Sequence, residues 1–368
     1  MRFVRTCCCL LLLGLIGVAV PAQTPSRDTA LPATGIDFSG VDEFWVVGGI
    51  LERDAEPSER DWQTLFSTPG YRLAFKNLGS TLRDNIDLAL RPSRHAEFLR
   101  AVARRDDRGL ALEHIALAWT RRAELEAYRD SLAHGTPIAD ALALAARYLP
   151  PGATKNGPPP LVTFAIFKDD GYSFPQGVVV DLLYARVLAE GGTPLTRDLA
   201  HEFHHSFVNR MAGPASSAPG PDAELRDALY NLRNEGLADQ IDKAYPFHSP
   251  DPGLAQYAAQ YNMEYARTPE VIQDLDSMLS VMARDSGAAR ATAMQASMLF
   301  WSNGHPNGAY IAREILETFG VDSLYPAARS PAAFLRTFQW AERRHGRKDP
   351  FSKKAWGVLD GLEGRYWR

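Results

Sequence analysis

"DLAHEFHHSFVNR", Asp198 to Arg210, decides how this chain is read. Three of its nine histidines and a glutamate fall within five residues, from His201 to His205. His201, Glu202 and His205 fit the spacing H-E-x-x-H. On an α-helix, at about 100° per residue, His201 and His205 lie about 40° apart on adjacent turns, so both imidazoles can reach one ion. Glu202 is turned about 100° from His201, close enough to face a water on that ion. Zinc lowers the pKa of such a water to about 7, and the carboxylate accepts its proton. The plain alternative is a solvated polar helix face. His204 points about 100° away from His205 and reads as a packing residue or a support for a ligand, with a ligand role the lesser alternative.

Two histidines and a water leave a tetrahedral zinc one protein ligand short. The longer pattern H-E-x-x-H-x-x-G-x-x-H is closed here, because Val208 and Met211 stand where it needs glycine and histidine. A glutamate on a later helix is the other common source. "NLRNEGLADQID", Asn231 to Asp242, supplies Glu235 on a predicted helix after one loop. Asp239 follows four residues on, on the same face, placed to accept a hydrogen bond from a ligand histidine's second nitrogen. The alternative is an acidic surface pair, but the small Gly236 and Ala238 suit two helices that approach closely. In "SNGHPNGAYIAREI", Ser302 to Ile315, either His305 or Tyr310 can supply the donor that a tetrahedral oxyanion needs. His114 and His248 carry no supporting pattern and read as structural or surface residues.

Further out, the chain has 368 residues, 45% of them hydrophobic, enough for a sizeable core. The net charge of −4 and the lack of a basic block argue against a nucleic-acid partner. "MRFVR", the apolar run Cys7 to Val20 and the small Ala22 have the build of a signal peptide over residues 1–22. The apolar run is shorter than the roughly 20 residues a span needs, so no stable membrane insertion is expected after cleavage. The expected location is periplasmic or extracellular. All three cysteines lie in this segment, so the mature chain has no thiolate zinc ligands and no cysteine nucleophile.

Residues 23–36 read as a flexible lead-in. Residues 37–150 read as a helical lobe, with apolar spacings of three and four in "DEFWVVGGILER", "LEHIALAWTRRAELEAYRDSLA" and "IADALALAARYL". "PPGATKNGPPP" marks a break, and residues 151–368 read as the catalytic core with a helical C-terminal part, although 37–368 can form one unit. "LVTFAIF" and "GVVVDLLYA" read as two strands around the turn-like "KDDGYSFPQ", the second either an edge strand or a buried one. The fold class is therefore α+β, predominantly helical.

"AHEFHH" followed by "NEGLAD" resembles the glutamate-zincin arrangement, and more closely a bacterial family of exported zinc-dependent peptidases of otherwise unknown function. "DWQTLFSTPGYRLAF" and "GHPNGAYIA" fit the same resemblance, which extends over most of the mature chain. It implies a zincin-like core: a motif helix, a glutamate helix and a small sheet with an exposed edge strand. It says little about the substrate. The reading is a Zn2+-dependent hydrolase, most simply a peptidase acting on a peptide or protein, with His201, His205 and Glu235 as ligands and Glu202 as general base. The alternatives are a zinc hydrolase of a non-peptide amide or ester, and a non-catalytic helical binding protein stapled by a metal. Oligomeric state is not legible.

Overall fold

A computed structural model of the protein describes residues 35–79, 81–155, 157–174, 176–190, 195–212, 219–248, 255–285 and 289–367. The expected signal segment and most of the lead-in lie outside the described residues. Residues 32–368 form one compact unit. No helix among the described residues is long and apolar enough to cross a membrane.

The fold is predominantly helical with one small sheet. Its strands are β1 (Ile36–Asp37), β2 (Val162–Ala165), β3 (Gly171–Phe174) and β4 (Gly177–Asp181), in the order β1-β2-β4-β3. β1, β2 and β4 run parallel, and β3 turns back antiparallel onto β4 with Tyr172 opposite Val179. β2 and β4 are buried along their whole length, as continuous apolar runs require. β1 and β3 form the two edges; β3 is built from "GYSF" inside the stretch that reads as a turn, and "GVVVD" is an inner strand. Gly177 makes the tight return possible. Its φ is +152°, and a Cβ there would stand 2.5 Å from the Leu161 carbonyl oxygen. β4 stops at Asp181, whose Oδ1 accepts the Tyr184 N–H at 3.0 Å and caps the helix Leu182–Glu190, so the expected second strand is strand then helix.

The helices Ser39–Leu51, Asp107–Thr120, Arg122–His134 and Pro137–Ala146 bear out the helical reading of the N-terminal half. Pro57-Ser58 and Pro69-Gly70 act as helix starts. Ser58 forms a capping box with Asp61 ahead of Glu59–Ser67, and Pro69 opens Pro69–Leu78.

Two apolar cores share the molecule. The first gathers Phe44, Trp62, Tyr71, Phe164, Phe203 and Phe207, and runs from Ile36 to Ile241. The second gathers Leu225, Leu229, Leu232, Leu275, Phe334 and Leu359. The motif helix, Leu195–Ala212, drives Leu199, Phe203 and Phe207 into the first core at four-residue spacing. Its opposite stripe, at 201, 205 and 209, is thereby turned away from that core and toward the glutamate helix. Burying Phe203 and Phe207 stabilises this orientation by about 2–3 kcal/mol each. The glutamate helix, Ala223–Asp242, packs Leu225, Leu229, Leu232 and Leu237 into the second core and Ile241 into the first. It lies between the two cores, and the site forms there.

Candidate metal centre

The motif helix and the glutamate helix bring three lone-pair atoms to one point. His205 Nε2 lies 3.0 Å from His201 Nε2. Glu235 Oε2 lies 3.1 Å from His205 Nε2 and 3.4 Å from His201 Nε2. An ion with ligands at 2.0–2.1 Å in a tetrahedron sets its ligand atoms about 3.3–3.4 Å apart. The three side chains thus fit zinc as they stand. His201 Nδ1 donates to Asp242 Oδ1 at 2.9 Å, which leaves Nε2 as the lone-pair nitrogen facing the other two. Burial opposes a charge on Glu235, but the imidazoles of His205 and His305 hold its carboxyl well below the usual range.

Glu202 projects into the same cleft, and its carboxylate makes no hydrogen bond among the described residues. Its backbone carbonyl accepts the Ser173 hydroxyl of β3 at 3.2 Å, which ties the motif helix to the edge strand. Burial raises the Glu202 pKa, with His205 and His201 partly offsetting that.

A third helix, His305–Phe319, completes the group. His305 Nε2 lies 3.3 Å from Glu235 Oε2, and His305 Nδ1 donates to Asp239 Oδ1 at 2.9 Å. Asp239 is fully buried and also accepts from Lys243 Nζ at 2.9 Å and the Tyr261 hydroxyl at 3.0 Å. Asp239 Oδ1 stands 3.6 Å from His201 Nδ1, so the carboxylate bonded to His201 is Asp242. His201, Asp239 and His305 also lie within reach of one ion, but the Lys243 ammonium already supplies the cation there.

The cleft above these groups has a volume of about 710 Å³ and is walled by all four residues of β3. His305 lines it. Tyr310 does not: its half-buried ring packs against Tyr265 and Phe338, away from the cleft. His204 is 1% exposed and faces the core, where burial pushes its pKa down to about 3. His114, unmarked in the sequence, is buried against Asp181 with Nε2 and Oδ1 2.8 Å apart.

The family model "Putative zinc dependent peptidase (DUF5700)" matches residues 62–346, well over half of the chain. The chain belongs to this family. The matched region contains every group of the centre, from His201 to His305, and the family's description supports a zinc-dependent hydrolase at that level. No curated protein and no solved structure matches the chain.

Sequence reasoning missed Asp242, Lys243, Asn209 and β3. Asn209 had a signal, since it extends the stripe His201, His205 by one more step of four. Asp242 lies seven residues after Glu235, two turns along the same face, and was equally legible. Lys243 had no signal beyond its place next to Asp242.

Proposed function

We propose that the protein is an exported zinc metallopeptidase in which His201, His205 and Glu235 hold the ion and Glu202 is the general base. The observation that carries this reading is the 3.0–3.4 Å convergence of those three ligand atoms beside the Glu202 carboxylate, which makes no hydrogen bond among the described residues. When bound, zinc supplies a Lewis acid that polarises a carbonyl and acidifies water. Glu202 accepts a proton from a water in the cleft and delivers it to the leaving nitrogen, a role helped by its raised proton affinity. Asp239 raises the proton affinity of His305 against the opposing effect of burial, so its Nε2–H can donate to an oxyanion. Asp242 fixes the His201 tautomer, and Lys243 balances the two aspartates.

A peptide is favoured over other amides and esters because β3 borders the cleft with β4 on one side and no strand on the other among the described residues. An extended substrate can add to that edge through backbone hydrogen bonds. A purely structural metal would not need Glu202. The test is zinc content together with cleavage of a broad fluorogenic peptide library, before and after chelation. About one zinc per chain and chelator-sensitive cleavage are expected. Glu235→Ala should lose the zinc while the helices stay folded. Full zinc occupancy in that variant under mild chelation would contradict the ligand set.

A further inference from the structure

Past His205, the cleft wall is built from two asparagines whose amide groups are all turned one way. Asn209 follows His205 by one helical step of four, and Asn234 directly precedes Glu235; both line the cleft. Asn234 Oδ1 accepts from Arg233 Nε at 3.1 Å and from Arg233 Nη2 at 2.5 Å. A guanidinium has no acceptor atom, so Asn234 must present oxygen to it and its NH2 elsewhere. Asn209 Oδ1 accepts from the Tyr230 hydroxyl at 2.5 Å and more distantly from Asn234 Nδ2 at 3.4 Å. That leaves the Asn209 NH2 group with no protein acceptor among the described residues, on a residue that lines the cleft.

Arg233 explains why the orientation matters. It is 1% exposed, and its remaining directed hydrogen bond goes from Nη1 to the Ala328 carbonyl oxygen at 3.1 Å. The Tyr230 ring covers its face at 4.8 Å. No carboxylate pairs with it among the described residues. A guanidinium stays charged, and a buried charge without a counter-ion sets up a positive potential around it. Asn234 and Asn209 relay that potential into the cleft as N–H donors. The lining also holds Asp170, paired with Lys168, Asp242, paired with Lys243, and Asp198, one turn before His201. The cleft is thus polar, with two of these aspartates paired to lysines and the free amide donor of Asn209 past His205.

We infer that the Asn209–Asn234 pair, oriented by Arg233 and Tyr230, is a subsite for a substrate carboxylate. The inference rests on the hydrolase reading only in calling the ligand a substrate. Asn209 lies one turn beyond His205, about 6 Å along the helix axis, so the carboxylate falls roughly two or three extended residues from the bond that is cut. A chain-terminal carboxylate and an aspartate or glutamate side chain share this chemistry. Arg233 acts through Asn234 and is a positioning residue; the asparagines are the contacts.

The test compares the zinc-loaded mature protein with Asn209→Asp. That substitution keeps the size and the acceptor for Tyr230 while removing the donor. The probes are fluorescein-labelled, alanine-rich pentapeptides in matched pairs: free C-terminus against C-terminal amide, and an internal glutamate against glutamine. Binding is read by fluorescence anisotropy and cleavage by chromatography, with zinc content as the control for the fold of the site. The wild type should favour the carboxylate member of one pair by ~10–100-fold, as charge-assisted hydrogen bonds do, and the favoured pair identifies the source. Asn209→Asp should abolish or invert that ratio with zinc content unchanged. Equal binding of acid and neutral peptides by the wild type would overturn the inference, as would an undiminished acid preference in Asn209→Asp. A wild type that binds acid peptides preferentially but cleaves none would overturn the hydrolase reading and leave the subsite standing. Arg233→Met that retains its zinc should reduce the same acid-to-neutral binding ratio, and an undiminished ratio would overturn the positioning role of Arg233.

Discussion

Gly236 and Gly308 meet backbone to backbone where the glutamate helix crosses the helix that carries His305. A Cβ on Gly236 would stand 2.3 Å from the Gly308 carbonyl carbon, and one on Gly308 would stand 2.1 Å from the Leu232 carbonyl oxygen. Neither neighbour is a side-chain end that can swing away. This contact brings His305 within 3.3 Å of Glu235.

Gly308→Ala should therefore force the helices apart. Overpacking of this kind costs about 1–3 kcal/mol, seen as a lowered Tm. It should also withdraw His305 from the centre, so turnover should fall further than zinc content does. A variant with unchanged Tm and unchanged rate would show that the crossing is looser than described.

With His305 as the proposed oxyanion donor and not a ligand, His305→Ala should lower turnover by roughly 10²–10³-fold with little loss of zinc. Tyr310→Phe should leave the rate unchanged, since that ring packs on Tyr265 and Phe338 away from the cleft. Steady-state kinetics and metal analysis of the two variants check both statements. An unaffected His305→Ala would move the oxyanion donor elsewhere.

Much of this centre was legible because it is local. H-E-x-x-H and the stripe through Asn209 depend only on the helical period, and "NEGLAD" placed Glu235 and Asp239 one turn apart. What failed was set by tertiary pairing. β3 is a four-residue strand inside "KDDGYSFPQ", and it exists because β4 lies beside it; no alternation that short announces itself. Which aspartate meets His201 depends on how the two helices cross, so Asp242 took the role read for Asp239 and Asp239 turned to His305. The sequence offers His305 first and Tyr310 second as the donor; five helical residues put them about 140° apart, and only His305 lines the cleft.

His114 and Asp181 give a pH signature remote from the metal. Burial pulls the His114 pKa down, but the Asp181 charge and hydrogen bond outweigh it and raise the value above normal. A histidine whose folded pKa is raised contributes its full stability below the unfolded value of about 6.5 and loses it as pH rises through the folded pKa. His114→Ala should cost about 3 kcal/mol near pH 6, the low end for breaking a buried pair. The gap from wild type should narrow as the pH is raised above the ordinary histidine value. Denaturant melts of both proteins at several pH values test this, and a gap that widens with pH would contradict the assignment.

In the proposed mechanism Glu202 performs chemistry beside an ion it does not hold. Glu202→Gln keeps the size of the side chain and removes its basicity. Zinc content and cleavage of a fluorogenic peptide library should be measured on this variant beside the wild type. Both proteins should hold about one zinc per chain, and Glu202→Gln should lose nearly all cleavage. A variant that cleaves as fast as the wild type would contradict this mechanism, and so would a wild type that holds zinc and cleaves nothing across the library.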